Sequence, residues 1–155
     1  MKKNLKIIAI VLFAAFLISQ FVRPDRTNPP IVEAETLESS VQIPETVEKI
    51  LARSCSDCHT NTTSYPWYSN VTPFNFFLAH HIEEGRAKLN FSVWNTFETG
   101  RKRRKLGEIC EQVEEGLMPL PSYIWIHRGA KLSEEDVKTL CDWTDAERAG
   151  LAQTP

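Results

Sequence analysis

Two thiols three positions apart, followed at once by an imidazole, limit what a chain can build around them. This chain has that arrangement once, as Cys55, Cys58 and His59 in CSDCH. A redox dithiol with C-x-x-C spacing is expected at a strand–helix junction in an α/β setting. A structural zinc site needs four ligands. A covalent c-type haem uses the two thiols as thioether links and the following histidine as an iron ligand. The surroundings of the motif decide among the three.

Those surroundings read as helices. IPETVEKILARSC puts Pro44 at a helix start with acids in the first turn. Val47, Ile50, Leu51, Ser54 and Cys55 then recur at helical spacing, which predicts that Cys55 ends a buried stripe. PFNFFLAHHIEEGRAKL predicts a second helix from Pro73, with Phe74, Phe77, Leu78, His81 and Ile82 facing inward. NFSVWNTFETG reads as a short helix or irregular segment closed by Gly100. RKRRKLGEICEQVEEGL predicts a third helix, with Leu106, Ile109, Cys110, Val113 and Leu117 inward. MPLPSYIWIHRGAKL has two prolines close together and reads as irregular. SEEDVKTLCDWTDAERAG opens on a capping box, Ser133 to Asp136, and carries Val137, Leu140, Cys141 and Thr144 on one stripe. No run alternates like a paired strand and no segment repeats, so the fold class is all-α, small, with long loops.

A dithiol of the α/β kind therefore has no strand to sit on. Zinc has no second paired cluster, since Cys110 and Cys141 lie far apart on apolar helix faces. An all-α chain with a helix ending at the first cysteine favours haem. So much loop leaves a modest core, which a large apolar cofactor would fill, and Tyr65, Trp67, Tyr68, Trp94, Tyr123 and Trp125 supply aromatic rings for it. His59 is then the first axial ligand. Met118, the one methionine besides Met1, follows a predicted helix end in EEGLMPLPS and is the favoured second ligand. Its alternative role is a flexible core filler. His81 is the rival ligand, with His80 and His127 behind it. Tyr65, Trp67 and Tyr68 would bond a haem propionate or simply cover the porphyrin edge. Arg86 would pair with a propionate or end its helix in solvent. RKRRK, Arg101 to Lys105, is a solvated helix start or a docking patch for an acidic redox partner or anionic lipid.

The N-terminus bears on compartment. Lys2, Lys3 and Lys6 precede an apolar run from Ile7 to Val22, interrupted only by Ser19 and Gln20. Its sixteen residues would span roughly 24 Å as a helix, slightly short of a hydrocarbon core of about 30 Å. No small-x-small cleavage site follows, so an uncleaved signal anchor is expected over residues 1–22, with a cleaved secretory signal as the alternative. Residues 23–40, with Pro24, Pro29 and Pro30, read as an extended tether, 41–148 as the folded domain and 149–155 as a C-terminal tail. Either way, with the signal kept or cleaved, the domain is expected to be exported. Beyond residue 26 the chain holds 13 of its 18 Lys and Arg and 19 of its 20 Asp and Glu. That acidity argues against nucleic acid as a partner. No hydrolytic triad, phosphate-binding glycine loop or paired-carboxylate site stands out, and an enzyme is not the expectation.

CSDCHTNTTSYPWYSNVTPFNFFLAHHIEEGRAKLNFSVW, EEGLMPLPSYIWIHRGAKLSEEDVKTLCDW and the upstream VRPDRTNPP resemble the small bacterial haem-binding domain family of c-type cytochromes, over roughly residues 22 to 145. The resemblance implies a membrane-tethered monohaem protein with a cytochrome c-like helical fold. It implies that Cys55 and Cys58 attach one haem c, that His59 is proximal, and that Met118 lies in the family's Met-Pro motif. The pair Cys110 and Cys141 is not part of that pattern. Both lie on apolar stripes of helices that should pack together, which leaves a disulfide or two buried thiols. The expected function is single-electron transfer in the bacterial envelope, with redox partner proteins unspecified. A peroxidase-like enzyme with His81 on the distal side, or a haem-based gas or redox sensor, is the alternative.

Overall fold

The computed structural model describes residues 2–153 and is all-helical, with no strand among those residues. Helix α1 covers Lys2–Ser19, α2 Glu45–Ser54, α3 Ser56–His59, α4 Phe74–Lys88, α5 Thr99–Glu114, α6 Pro121–Ile126 and α7 Glu134–Ala152. Short 3₁₀ turns cover Glu33–Glu35, Trp67–Asn70, Phe91–Thr96 and Arg128–Ala130.

The core forms where the apolar stripes were expected. Val47, Ile50 and Leu51 of α2 meet Leu106, Ile109 and Val113 of α5 and Leu140 and Cys141 of α7. Phe91 and Trp94 close this cluster from the 3₁₀ turn between α4 and α5. Ser133 caps α7 through the reciprocal bonds of a capping box with Asp136. Cys110 and Cys141 are joined as a disulfide, which ties α5 to α7.

Several expectations fail, each for a visible reason. Residues 23–40, read as an extended tether, are bonded to the domain. Arg26 donates to the carbonyl and hydroxyl oxygens of Ser69 and to Asn70 Oδ1, and Asn28 donates to the Thr63 carbonyl. Leu37 is fully buried, and its N–H donates to the Phe91 carbonyl at 2.9 Å, so the packed domain begins before Val41. The stretch after Met118 is not wholly irregular: Pro121 occupies the first turn of α6, where a missing N–H leaves nothing unsatisfied. Helix α7 runs to Ala152 where a tail was expected from 149, and the tail's last two residues lie outside the described residues. On α4 the buried side chains are Asn75 and Ile82, while Phe74 and Phe77 face outward. Leu117 falls beyond the end of α5 and is exposed.

The expected membrane-spanning segment forms a helix, α1, with no buried side chain. No helix among the described residues is long and apolar enough to cross a membrane. Lysines occupy the first turn and position 6, so the unbroken apolar part from Ile7 to Ile18 covers about 18 Å, against a hydrocarbon core of about 30 Å.

Candidate functional site

A cavity of about 490 Å³ opens between α2, α3, α4, α5 and the chain after α5. That volume falls within the roughly 300–1,000 Å³ common for cofactor pockets. Cys55, Cys58 and His59 line one part of it, and Met118, His81 and Tyr123 line others. Phe91, Leu89, Ile109, Val113 and Leu120 make much of the remainder apolar, while Glu84, Lys88, Lys105 and Glu108 add charge.

Helix geometry delivers the motif. Helix α2 ends at Ser54, Cys55 is its cap, and the single turn of α3 carries Cys58 and His59. The Ser54 hydroxyl donates to the Ala130 carbonyl, and Thr60 Oγ1 donates to the Ser56 carbonyl, so both flanks of the turn are pinned. Gly85 of α4 packs against it so closely that a Cβ there would lie 2.8 Å from the Cys58 carbonyl oxygen. The approach brings two carbonyls to the imidazole. His59 Nδ1 lies 3.1 Å from the Gly85 oxygen and 2.9 Å from the Leu89 oxygen. Two acceptors fix the proton on Nδ1 and leave the Nε2 lone pair free to bind a metal. Burial lowers the His59 pKa, which keeps the ring neutral, as a ligand must be.

The thiols are unpaired, and burial raises them to about 12 at Cys55 and about 11 at Cys58. A reactive dithiol needs the opposite, a depressed pKa in a polar setting. Nor does a zinc-like ligand set form at the motif. The one close group of candidate ligands among the described residues is Cys110, Glu114 and Cys141, whose sulfurs already bond each other. Two protonated thiols and a neutral imidazole at the wall of a largely apolar cavity fit a haem joined through its periphery and its iron.

Met118 reaches the cavity by a helix stop. Gly116 adopts φ 68°, and the N–H groups of Leu117 and Met118 both donate to the Gln112 carbonyl, at 2.9 and 3.1 Å. This left-handed closure turns the chain off the α5 axis. Met118 also packs against the core, so its filler and lining roles coexist. His81 lines the same cavity, with Nδ1 2.8 Å from the Phe77 carbonyl oxygen and its ring tilted by 39° against Phe77 at a centroid distance of 4.2 Å. Tyr123 donates to Asp57 Oδ2 at 2.7 Å, and its ring stacks on His127 at 4.3 Å. Burial, followed by the Asp57 carboxylate, raises the Tyr123 pKa. The Tyr68 hydroxyl and His127 Nε2 bond at 2.8 Å and extend this network.

Other candidates lie elsewhere. Tyr65 and Trp67 do not line the cavity, and Trp67 is 78% exposed. Arg86 is not a cavity cation: it donates to the Thr60 carbonyl, Asn28 Oδ1 and Thr63 Oγ1, clamping the loop after the motif to the upstream segment. The RKRRK run is largely engaged within the chain. Arg101 lies 4.0 Å from the Phe97 ring centroid, Lys102 donates to Asn95, and Arg104 and Lys105 pair with Glu108. The sequence reading missed Gly85, the Leu89 carbonyl and Asp57. A glycine inside HHIEEGR was the available signal for Gly85, whereas a carbonyl leaves none.

Residues 14–146 match a protein family described as Haem-binding domain. No curated protein and no solved structure shows significant similarity to the chain.

Proposed function

The chain belongs to the haem-binding domain family, and from that premise we propose that it is a c-type cytochrome carrying one covalent haem for single-electron transfer. The observation that carries this reading is one apolar cavity lined by both motif thiols, His59 and Met118. Cys55 and Cys58 would hold the group by thioether links, His59 Nε2 would take one axial position, and Met118 Sδ the other. Bound haem supplies a one-electron iron couple, whose potential a thioether ligand raises relative to a second histidine. The chain's own part is to hold Nδ1–H on two carbonyls, exclude water with Phe91, Ile109 and Val113, and fix Met118 by the Gly116 turn.

Haem stain should survive acidic acetone extraction and a denaturing gel. Extractable haem would overturn covalent attachment. A second reading, a distal histidine for peroxide or gas chemistry, is favoured by His81, whose Nδ1 contact with the Phe77 carbonyl frees Nε2. Carbon monoxide binding to the reduced protein separates the two. Resistance that Met118→Ala removes supports electron transfer, and ready binding by the unaltered protein supports the second reading.

The cellular setting belongs to the same proposal. The large apolar side chains of α1 are exposed, and seating them in a bacterial inner membrane would hold the haem domain against that membrane, on the periplasmic side. Sedimentation of the full chain with membranes, resistant to salt and alkali, is the expected result. A chain recovered wholly in the soluble fraction would overturn it.

A further inference from the structure

The aromatic residues that the helical pattern assigned to the core of α4 lie outside. Phe74, Phe76 and Phe77 are 56%, 42% and 54% exposed, and Trp67 on the packed 3₁₀ turn is 78% exposed. They fall in a stretch from Thr60 to Ala79 that contains no Asp, Glu, Lys or Arg, in a chain that is 25% charged. Exposed aromatic rings concentrated in one uncharged stretch are a feature of interaction surfaces.

The end of α1 lies beside it. Gln20 and Thr72 exchange two bonds: the Thr72 N–H donates to Gln20 Oε1 at 2.9 Å, and Gln20 Nε2 donates to the Thr72 carbonyl at 3.3 Å. The Thr72 hydroxyl donates to the Ser19 carbonyl at 3.2 Å. Phe74 follows two residues later, and Phe21 and Val22, 88% and 59% exposed, continue the apolar surface from the α1 side. An apolar helix therefore meets an uncharged aromatic face at a bonded junction.

We propose that Trp67, Phe74, Phe76 and Phe77 form a membrane-resting face that lies in the headgroup zone of the bilayer into which α1 inserts. The inference rests on the membrane attachment of α1 proposed above. Tryptophan and other aromatic rings favour this zone because an apolar body and a polar edge are both satisfied there. Exposed Arg23 beside α1 suits the lipid phosphates. Because the Phe77 ring contacts that of His81, which lines the cavity, the face brings the cavity rim to the membrane surface. Electrons would then be exchanged at the lipid boundary, with a partner held in or on the same membrane.

The test uses the full chain in phosphatidylcholine–phosphatidylglycerol vesicles that contain a phospholipid with a photoactivatable diazirine near its headgroup. After flotation, irradiation and digestion, adducts are mapped by mass spectrometry. Adducts are expected on α1 and on Trp67, Phe74, Phe76 and Phe77. In Phe74→Ser/Phe76→Ser those at 67 and 77 should be lost while α1 adducts and helical circular dichroism remain. Adducts confined to α1 overturn the resting face and leave the attachment of α1 standing. Adducts at 67 and 77 that persist undiminished in the variant also overturn it. A chain that neither floats nor acquires adducts overturns both.

Discussion

His59 and Met118, the favoured pair of iron-ligand candidates, are held in the cavity by different means. His59 is held by two carbonyls of α4, its turn is pinned on both flanks, and Gly85 leaves no room for even one more carbon. Met118 follows one left-handed turn at the end of α5 and packs partly against the core, and His81 lines the same cavity from α4. The chain holds His59 in a single arrangement and leaves Met118 and His81 as two candidates for a second ligand in the same cavity. Under the proposed ligation, such a site would tolerate change at the second ligand and fail at residues 55–59.

The largest effect should come from residues 55–59. Cys55→Ala/Cys58→Ala should abolish haem stain on a denaturing gel, and stain that persists would break the assignment. Next is the bridge that holds α5, and with it Met118, against α7. Loss of Cys110–Cys141, a separation of 31 residues, should cost about 3–4 kcal/mol on the chain-entropy account. Denaturant unfolding of Cys110→Ser/Cys141→Ser measures it, and an unchanged midpoint would show that packing alone holds the pair. Gly85→Ala is expected to cost about 1–3 kcal/mol, the usual range for overpacking, because the new methyl meets backbone rather than a movable side chain. The same substitution at Gly100, which meets nothing within 4 Å, is the control.

The ligand comparison is sharpened by two single changes. Met118→Ala should lower the potential, erase the weak red absorption of sulfur-ligated ferric haem and admit carbon monoxide, while His81→Ala should do none of these. The reverse pattern would make His81 the ligand. The smallest effect concerns the haem-free chain. Burial depresses the His59 pKa, so the unfolded chain binds more protons than the folded one below the ordinary histidine value of about 6.5. Stability is therefore full above that value and falls as pH drops through it. Thermal melts of the apo protein from about pH 8 to about pH 5 should show a decline that His59→Gln reduces.

Much of this was readable from local chemistry. The stripe Val47, Ile50, Leu51 and Ser54 and the Ser133 capping box each depend on residues a few positions apart, and each formed as expected. The α4 stripe misled because periodicity reports that a helix has an apolar face without saying what covers it. The Pro-rich stretch misled because composition registers stiffness and polarity, whereas Arg26 and Asn28 find partners some 35 to 44 positions away.

The sequence by itself determined the longer helices of the domain, the Ser133 cap and the donor atoms gathered at residues 55–59, since backbone preference and side-chain chemistry are local. Tertiary packing alone decided the rest. It chose the carbonyls that orient His59, brought Met118 and His81 to one cavity, turned Trp67 and Phe77 outward and joined Cys110 to Cys141. Each of those depends on which helix faces meet, and that is settled by the burial of the whole core at once rather than by any one stretch of chain.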